Sequence, residues 1–472
     1  MAKELWQLPA SELGAGYSAG EFTPVDVFDS VFRRIEKVNP SINAFVTIDE
    51  QAARRSAEES AKRWQTGGAL GPLDGVPISV KDNIAVHGLR STWGSKLYSD
   101  YVPAIDELPI ARLRASGVTI LGKTNCPEFT LQGYTDNLLF GPTRNPWDLQ
   151  LTPGGSSGGA VAAVAAGLGP IAIATDGGGS IRRPASHTGL VGLKPSRGRV
   201  PRCDGFPVTL LDFESLGPIA RTVNDLILVM QILSSPDPRD PLSSEYRNVP
   251  FAVPAPAQCR IRFIRSFANS PVDPEIASSV EAAARQFAEH GHILEEGEVP
   301  FALEPLNQAW AAIGQAGLAW LLESFPGWQG KVTPAMEEMA KNGQKRTGSE
   351  YVAALDAVRN LRTGLALFFR DYDVILTPSA AALPWLATDP FPTEIAGEKV
   401  GPRGHAVFTG FVNMAGCPGI NVPATPSHRG LPIGFQLVAA PGQDGLLCAL
   451  ARQYESWQPW IDRFPDVAKG WP

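Results

Sequence analysis

The stretch PGGSSGGAVAAVAAGLGPIAIATDGGGS, residues 153–180, decides the fold. It opens on two serines framed by glycines, Gly154-Gly155-Ser156-Ser157-Gly158-Gly159, and runs into Ala160 to Leu168, which is small or apolar throughout. A helix apolar on every side is a buried one, and its N-terminus turns free N–H groups and a positive dipole end toward the serine loop. The β-type run Ile171-Ala172-Ile173-Ala174-Thr175 then delivers Asp176 to three consecutive glycines and Ser180. A buried helix leading into a buried strand predicts an α/β core with its chemistry at the element ends.

Upstream, Val76-Pro77-Ile78-Ser79-Val80 reads as a strand whose alternation separates Val76, Ile78 and Val80 from Pro77, Ser79 and Lys81, so Lys81 emerges at its C-terminal end. Reacting groups of α/β sheets collect at that edge. A lysine withdrawn from water loses its proton more readily, which makes Lys81 a candidate base. Ser156 can relay a proton from Ser180 to a neutral Lys81, a route that needs no imidazole. The glycines before Ser180 can point successive N–H groups into one concavity, the geometry that stabilises a tetrahedral oxyanion. Ser180 is therefore the candidate nucleophile. Taken singly, each piece has a plain structural reading: Lys81 as a surface lysine beside Asp82, Ser180 as a helix cap after a packing turn.

Further out, residues 1–70 read as a helical clasp: Thr23-Pro24 opens a helix from Val25 to Val38, and a second helix is predicted from about Ile48 to Thr66. Residues 73–200 alternate strand and helix and form the core. From 230 to 370, a proline-rich linker (Ser234 to Pro256) leads to one βαβ unit (Ile261 to Ile264, Pro274 to His290, His292 to Val299) and then helices, an insertion expected to shape a pocket. Residues 373–472 return to the main sheet through Gly419 to Val422 and Ile433 to Val438, and end in a tail. The expected whole is one domain over 1–472.

Composition narrows partners. A net charge of −7 and sparse clustering of Arg and Lys argue against nucleic acid, and no apolar run approaches the roughly 20 residues of a membrane span. Five widely spaced cysteines without a Cys-x-x-Cys pair predict neither a disulfide framework nor a metal site, and with no apolar leader the expected location is the cytoplasm. His290-Gly291-His292 falls in a predicted solvated turn with no third ligand nearby, so no metal and no cofactor is expected. The Gly-x-Ser-x-Gly pattern around Ser156 matches the nucleophile elbow of α/β-hydrolases, but that elbow follows a strand, whereas Asn145 to Pro153 is turn material. No phosphate-loop pattern occurs.

These residues, together with Leu73-Asp74-Gly75-Val76-Pro77, Leu121-Gly122-Lys123-Thr124-Asn125, Gly141-Pro142-Thr143-Arg144-Asn145-Pro146-Trp147 and Gly189 to Pro195, make the chain resemble the amidase signature family. Weaker similarity extends over nearly its whole length, including Asn413 to Pro423.

The resemblance implies a single α/β/α domain around a large, twisted, mixed sheet. It implies a Ser-Ser-Lys triad with Ser180 as nucleophile, Ser156 as the bridging serine, usually on a cis peptide, and Lys81 as base. The backbone N–H groups of Gly177, Gly178, Gly179 and Ser180 would form the oxyanion hole, and Ser157, Asp176 and Arg182 would brace the loop. Cys126, Tyr134 and Arg183 are expected along the substrate pocket. The implied activity is hydrolysis of a linear carboxamide or related acyl–nitrogen bond through an acyl-enzyme, on a small-molecule amide. Similar enzymes are frequently dimers, so a homodimer is one expected state. The alternative is the glutaminase subunit of a glutamyl-tRNA amidotransferase. Against it, the Met-Asp-Glu-Phe run usual in such subunits is replaced by Cys126-Pro127-Glu128-Phe129.

Overall fold

Alternating strands and helices assemble one mixed sheet of eleven strands in the computed structural model, which describes residues 3–467. Residues 1–2 and 468–472, the outermost ends of the expected clasp and tail, lie outside the described residues. Across the sheet the order is Phe45–Ile48, Thr119–Thr124, Pro77–Lys81, Ile171–Asp176, Ser215–Ala220, Val191–Lys194, Gly419–Pro423, Gly434–Ala439, Val374–Pro378, Arg260–Phe263 and Ile293–Glu296. Pro77–Lys81 runs parallel to both its neighbours, while the middle of the sheet is antiparallel. Both faces are covered, so every residue of Pro77–Lys81 and Ile171–Asp176 is buried, the condition under which strands lose polar alternation.

The helix Gly158–Ala165 is buried at all eight positions, as its composition requires. Helix Pro24–Ile42 starts where Thr23 and Asp26 cap each other's backbone N–H groups, at 3.2 and 2.8 Å, and buries the stripe Val27, Phe28, Val31, Ile35, Val38 and Ile42. The second helix spans Glu50–Gln65 and does not begin at Ile48, because Phe45–Ile48 is a strand. Four residues carry too little periodicity to announce a strand. Tertiary pairing with Gly122, Lys123 and Thr124 decides it, helped by Asn39 Oδ1, which accepts from Ala44 N and Phe45 N.

The expected βαβ unit is present as Arg260–Phe263, Pro274–Glu289 and Ile293–Glu296, but its strands extend the main sheet at one edge. The chain has therefore not left the sheet before Asp373. The proline-rich segment 234–256 is packed against the body: it holds the 3₁₀ helix Pro241–Tyr246, buries Tyr246 and Phe251, and Tyr246 Oη donates to Arg197 O at 2.8 Å. Its prolines fix turns instead of freeing a tether. The turn at His290-Gly291-His292 is only half solvated. His290 stacks on Trp457 at 3.8 Å between ring centroids, and His292 is buried with Nδ1 accepting from Cys259 N. Helices Leu303–Glu323, Pro334–Gly343 and Gly348–Phe368 pack together, and Trp310 of the first lies against the glycine loop that follows Ile171–Asp176.

Among the described residues, no helix is long and apolar enough to cross a membrane, all five cysteines are free thiols, and no group of acidic, histidine and cysteine side chains could hold a metal ion.

Candidate active site

Lys81 and Asp176 end two adjacent parallel strands, and the register Val80 to Ile173 brings the Lys81 amine within reach of Thr175. Lys81 is fully buried. Its Nζ donates to Ser156 Oγ at 2.8 Å, to Thr175 Oγ1 at 3.1 Å and to Thr175 O at 3.3 Å. Burial lowers its pKa from 10.5 to about 8, against the partial opposition of the Glu214 and Asp176 carboxylates. Asp82 turns to the other side. Its Oδ2 accepts from Thr92 N at 3.0 Å and from Thr92 Oγ1, and its Oδ1 lies 3.8 Å from Lys123 Nζ. The next residue in the chain therefore does not neutralise Lys81, in keeping with strand alternation.

Ser156 sits at a cis Gly155–Ser156 peptide just before the buried helix Gly158–Ala165. Ser157 ties the two serine loops together: its N–H donates to Ser180 O at 3.2 Å and its hydroxyl to Thr175 O at 3.2 Å. Ser180 is 7% exposed, and it precedes the N-cap Ile181 of helix Arg182–Thr188 without capping it. Among the described residues no hydrogen bond joins the Ser180 and Ser156 hydroxyls. Such links often tighten only around substrate.

The glycine loop is held by Asp176 from within. Gly179 N donates to Asp176 Oδ1 at 2.6 Å and Ile181 N to Asp176 Oδ2 at 3.0 Å. Of the four N–H groups expected to receive an oxyanion, that of Gly179 is engaged by this carboxylate. Gly177, Gly178 and Ser180 donate no backbone hydrogen bond among the described residues. Arg182 is fully buried and grips the same carboxylate through Nε at 3.0 Å and Nη2 at 2.9 Å, while Asn413 Nδ2 donates to Asp176 O and Oδ1. Burial by itself raises the Asp176 pKa, but the Arg182 charge and hydrogen bonds, with Lys194 and Asn413, hold it well below the usual carboxylate range. This ion pair lies in the interior, both side chains fully buried.

The three residues expected along the pocket lie around the two serine loops and the end of the Lys81 strand. Cys126 is fully buried, Tyr134 packs its backbone against Gly155, and Arg183 is buried, donating to Gly178 O at 2.6 Å, to Thr409 Oγ1 at 3.0 Å and to Gly155 O at 3.5 Å. A cavity of about 470 Å³ adjoins the site, lined by Asn83, Trp93, Phe206, Leu210 and Glu214 among others. Asn83 connects it to the lysine, since Asn83 Nδ2 donates to Thr175 Oγ1 at 2.9 Å. Asn83, Thr175, Thr409 and Asn413 all touch the site directly or through one neighbour. Nothing in local sequence marks them, because they meet only through the strand register and the late helix Gly410–Ala415.

A buried lysine of lowered pKa, two serines on glycine loops and unspent N–H groups can together activate a hydroxyl and receive an oxyanion. The chain matches the Amidase family over residues 26–448. It is 35% identical over 470 residues to the acylamidase of Rhodococcus erythropolis, covering 98% of each chain. It is also 32% identical over 488 residues to the A subunit of the glutamyl-tRNA(Gln) amidotransferase of Carboxydothermus hydrogenoformans, covering 96% of this chain and 97% of that one. The crystal structure of a bacterial aryl acylamidase of the amidase signature enzymes superposes with a TM-score of 0.88 at 28% identity, over 98% of this chain and 99% of the other.

Proposed function

Because this chain belongs to the amidase signature family, whose enzymes hydrolyse carbon–nitrogen bonds, we propose that it cleaves a small linear amide through Lys81, Ser156 and Ser180, with an acyl-enzyme on Ser180. The observation that carries this reading is the 2.8 Å contact between fully buried Lys81 Nζ and Ser156 Oγ. Neutral Lys81 takes the Ser156 proton as Ser156 takes that of Ser180, and Ser180 Oγ adds to the carbonyl carbon. The oxyanion develops beside the free N–H groups of Gly177, Gly178 and Ser180. As the C–N bond breaks, the proton held by Lys81 returns through Ser156 to the leaving nitrogen. Water then adds to the Ser180 ester along the same relay and releases the carboxylic acid. Ser157, Asp176 and Arg182 hold the loop in place.

The test is hydrolysis of simple and aryl amides, scored by released ammonia or amine, with intact-mass detection of an acyl adduct. Ser180→Ala and Ser156→Ala are each expected to lower kcat/KM by roughly 10³-fold or more, and Ser180→Ala to abolish the adduct. Undiminished hydrolysis in Ser180→Ala would refute the assignment.

The similarity to the amidotransferase component supports a second reading, in which ammonia passes to a partner protein. The residues Cys126-Pro127-Glu128-Phe129 speak against it, as does the acylamidase identity over nearly the full chain. Activity of the purified chain by itself favours the stand-alone enzyme; activity appearing only with a partner favours the other reading.

A further inference from the structure

Arg403 shows part of its residue surface to solvent while its guanidinium is set inward, where burial lowers its pKa to about 10; among the described residues the guanidinium donates no hydrogen bond and meets no carboxylate. It lies over Trp310, 4.7 Å from the ring centroid. Trp310 in turn presses on the nucleophile loop: a Cβ at Gly178 would come within 2.6 Å of Trp310 Cη2. A second route joins Arg403 to the same loop. Its Nη2 lies 3.3 Å from the place a Cβ would take on Gly410, and the adjacent Thr409 hydroxyl donates to Gly178 O at 2.8 Å. An unpaired guanidinium thus stands on an aromatic ledge beside the residue two positions before Ser180.

Its neighbourhood is short of negative charge. Arg183, buried behind Gly178, donates only to carbonyl and hydroxyl oxygens, and burial together with the Arg403 charge lowers its pKa to about 9, which leaves it a cation at neutral pH. His187 and His405 are buried nearby and held neutral, chiefly by burial. The carboxylate on this side of the loop, Asp176, is already saturated by Arg182, Asn413 and backbone N–H groups. A planar guanidinium with free donors, its plane fixed by stacking, is the group that receives a carboxylate in bidentate fashion.

We propose that Arg403 is a specificity-determining residue that binds a carboxylate carried by the substrate a few bonds from the scissile amide, so that the preferred substrates are anionic amides. This rests on the assignment of Ser180 as nucleophile given above. The chemistry of bond cleavage is unchanged; Arg403 contributes binding and orientation.

The test compares matched pairs: monoamides of short dicarboxylic acids against neutral aliphatic amides of equal length, and N-acyl amino acids against the corresponding N-acyl alkylamines. In at least one series the anionic member is expected to show kcat/KM at least about tenfold higher, an advantage that falls with added salt. Arg403→Glu is expected to reverse that ratio and Arg403→Lys to restore part of it. Ellipticity and thermal unfolding verify the fold of both variants. The proposal is overturned if neutral members are hydrolysed as well as anionic ones in both series, or if Arg403→Glu keeps the anionic preference. Absence of hydrolysis for every amide would instead refute the underlying enzyme assignment.

Discussion

Lys81 Nζ lies 2.8 Å from Ser156 Oγ, while Asp82, the next residue, turns its carboxylate to Thr92 and Lys123. Two buried lysines thus divide the work. Lys123 donates to Ile84 O and to Ser91 Oγ and faces Asp82, which leaves Lys81 with hydroxyl and carbonyl partners alone. Desolvation lowers both lysines to about 8, and what sets Lys81 apart is that its amine meets Ser156 and Thr175.

The pH dependence follows from that balance. A base whose pKa is lowered to about 8 is mostly protonated at pH 7 and neutral above about pH 8. On the acid side of the profile, kcat/KM on a neutral amide is expected to rise with pH and level off above about 8, and Lys81→Arg, which keeps its proton, to remove the rise together with most of the activity. A profile flat from about pH 6 to pH 9 would count against Lys81 as base.

Gly179 has φ +112°, and a Cβ there would sit 2.2 Å from Thr409 Oγ1 and 2.7 Å from Arg183 Nη1. Gly179→Ala is expected to displace the loop and lower kcat by about 10²–10³-fold, the scale of losing one oxyanion donor. Gly348→Ala, where the added methyl meets nothing within 4 Å, serves as the control and stays close to wild type. Equal activity of the two variants would show that the loop tolerates movement.

Asp176 and Arg182 are both fully buried. Removing one partner strands the other charge in the interior, so Asp176→Asn and Arg182→Ala are each expected to lose about 3–5 kcal/mol of stability by urea unfolding. Arg182→Lys recovers little, because a single ammonium cannot reach Asp176, Thr409, Gln436 and Asn413 together as the guanidinium fork does. Unfolding midpoints unchanged from wild type would contradict the bracing role.

Local sequence was sufficient for the elements that carry their own signal. The all-apolar run after Ser157 is a buried helix, Ile171 to Asp176 a buried strand, and Lys81 the end of a strand, since composition and period fix each of these without reference to distant residues. The strand Phe45–Ile48 carried no such signal, and neither did the placement of the βαβ unit in the main sheet, because both depend on which edges remain open for pairing.

By itself the sequence determined an α/β core and brought one lysine and two serines forward as its candidate chemistry. Only the tertiary structure decided which charges face one another. Lys81 meets Ser156 and Thr175, Asp176 accepts from the Gly179 N–H, and Arg403 is left without an acid. Residue type and spacing encode periodicity, whereas electrostatic partnership depends on distances that arise only when segments more than two hundred residues apart, such as Asp176 and Asn413, are packed together and water is excluded.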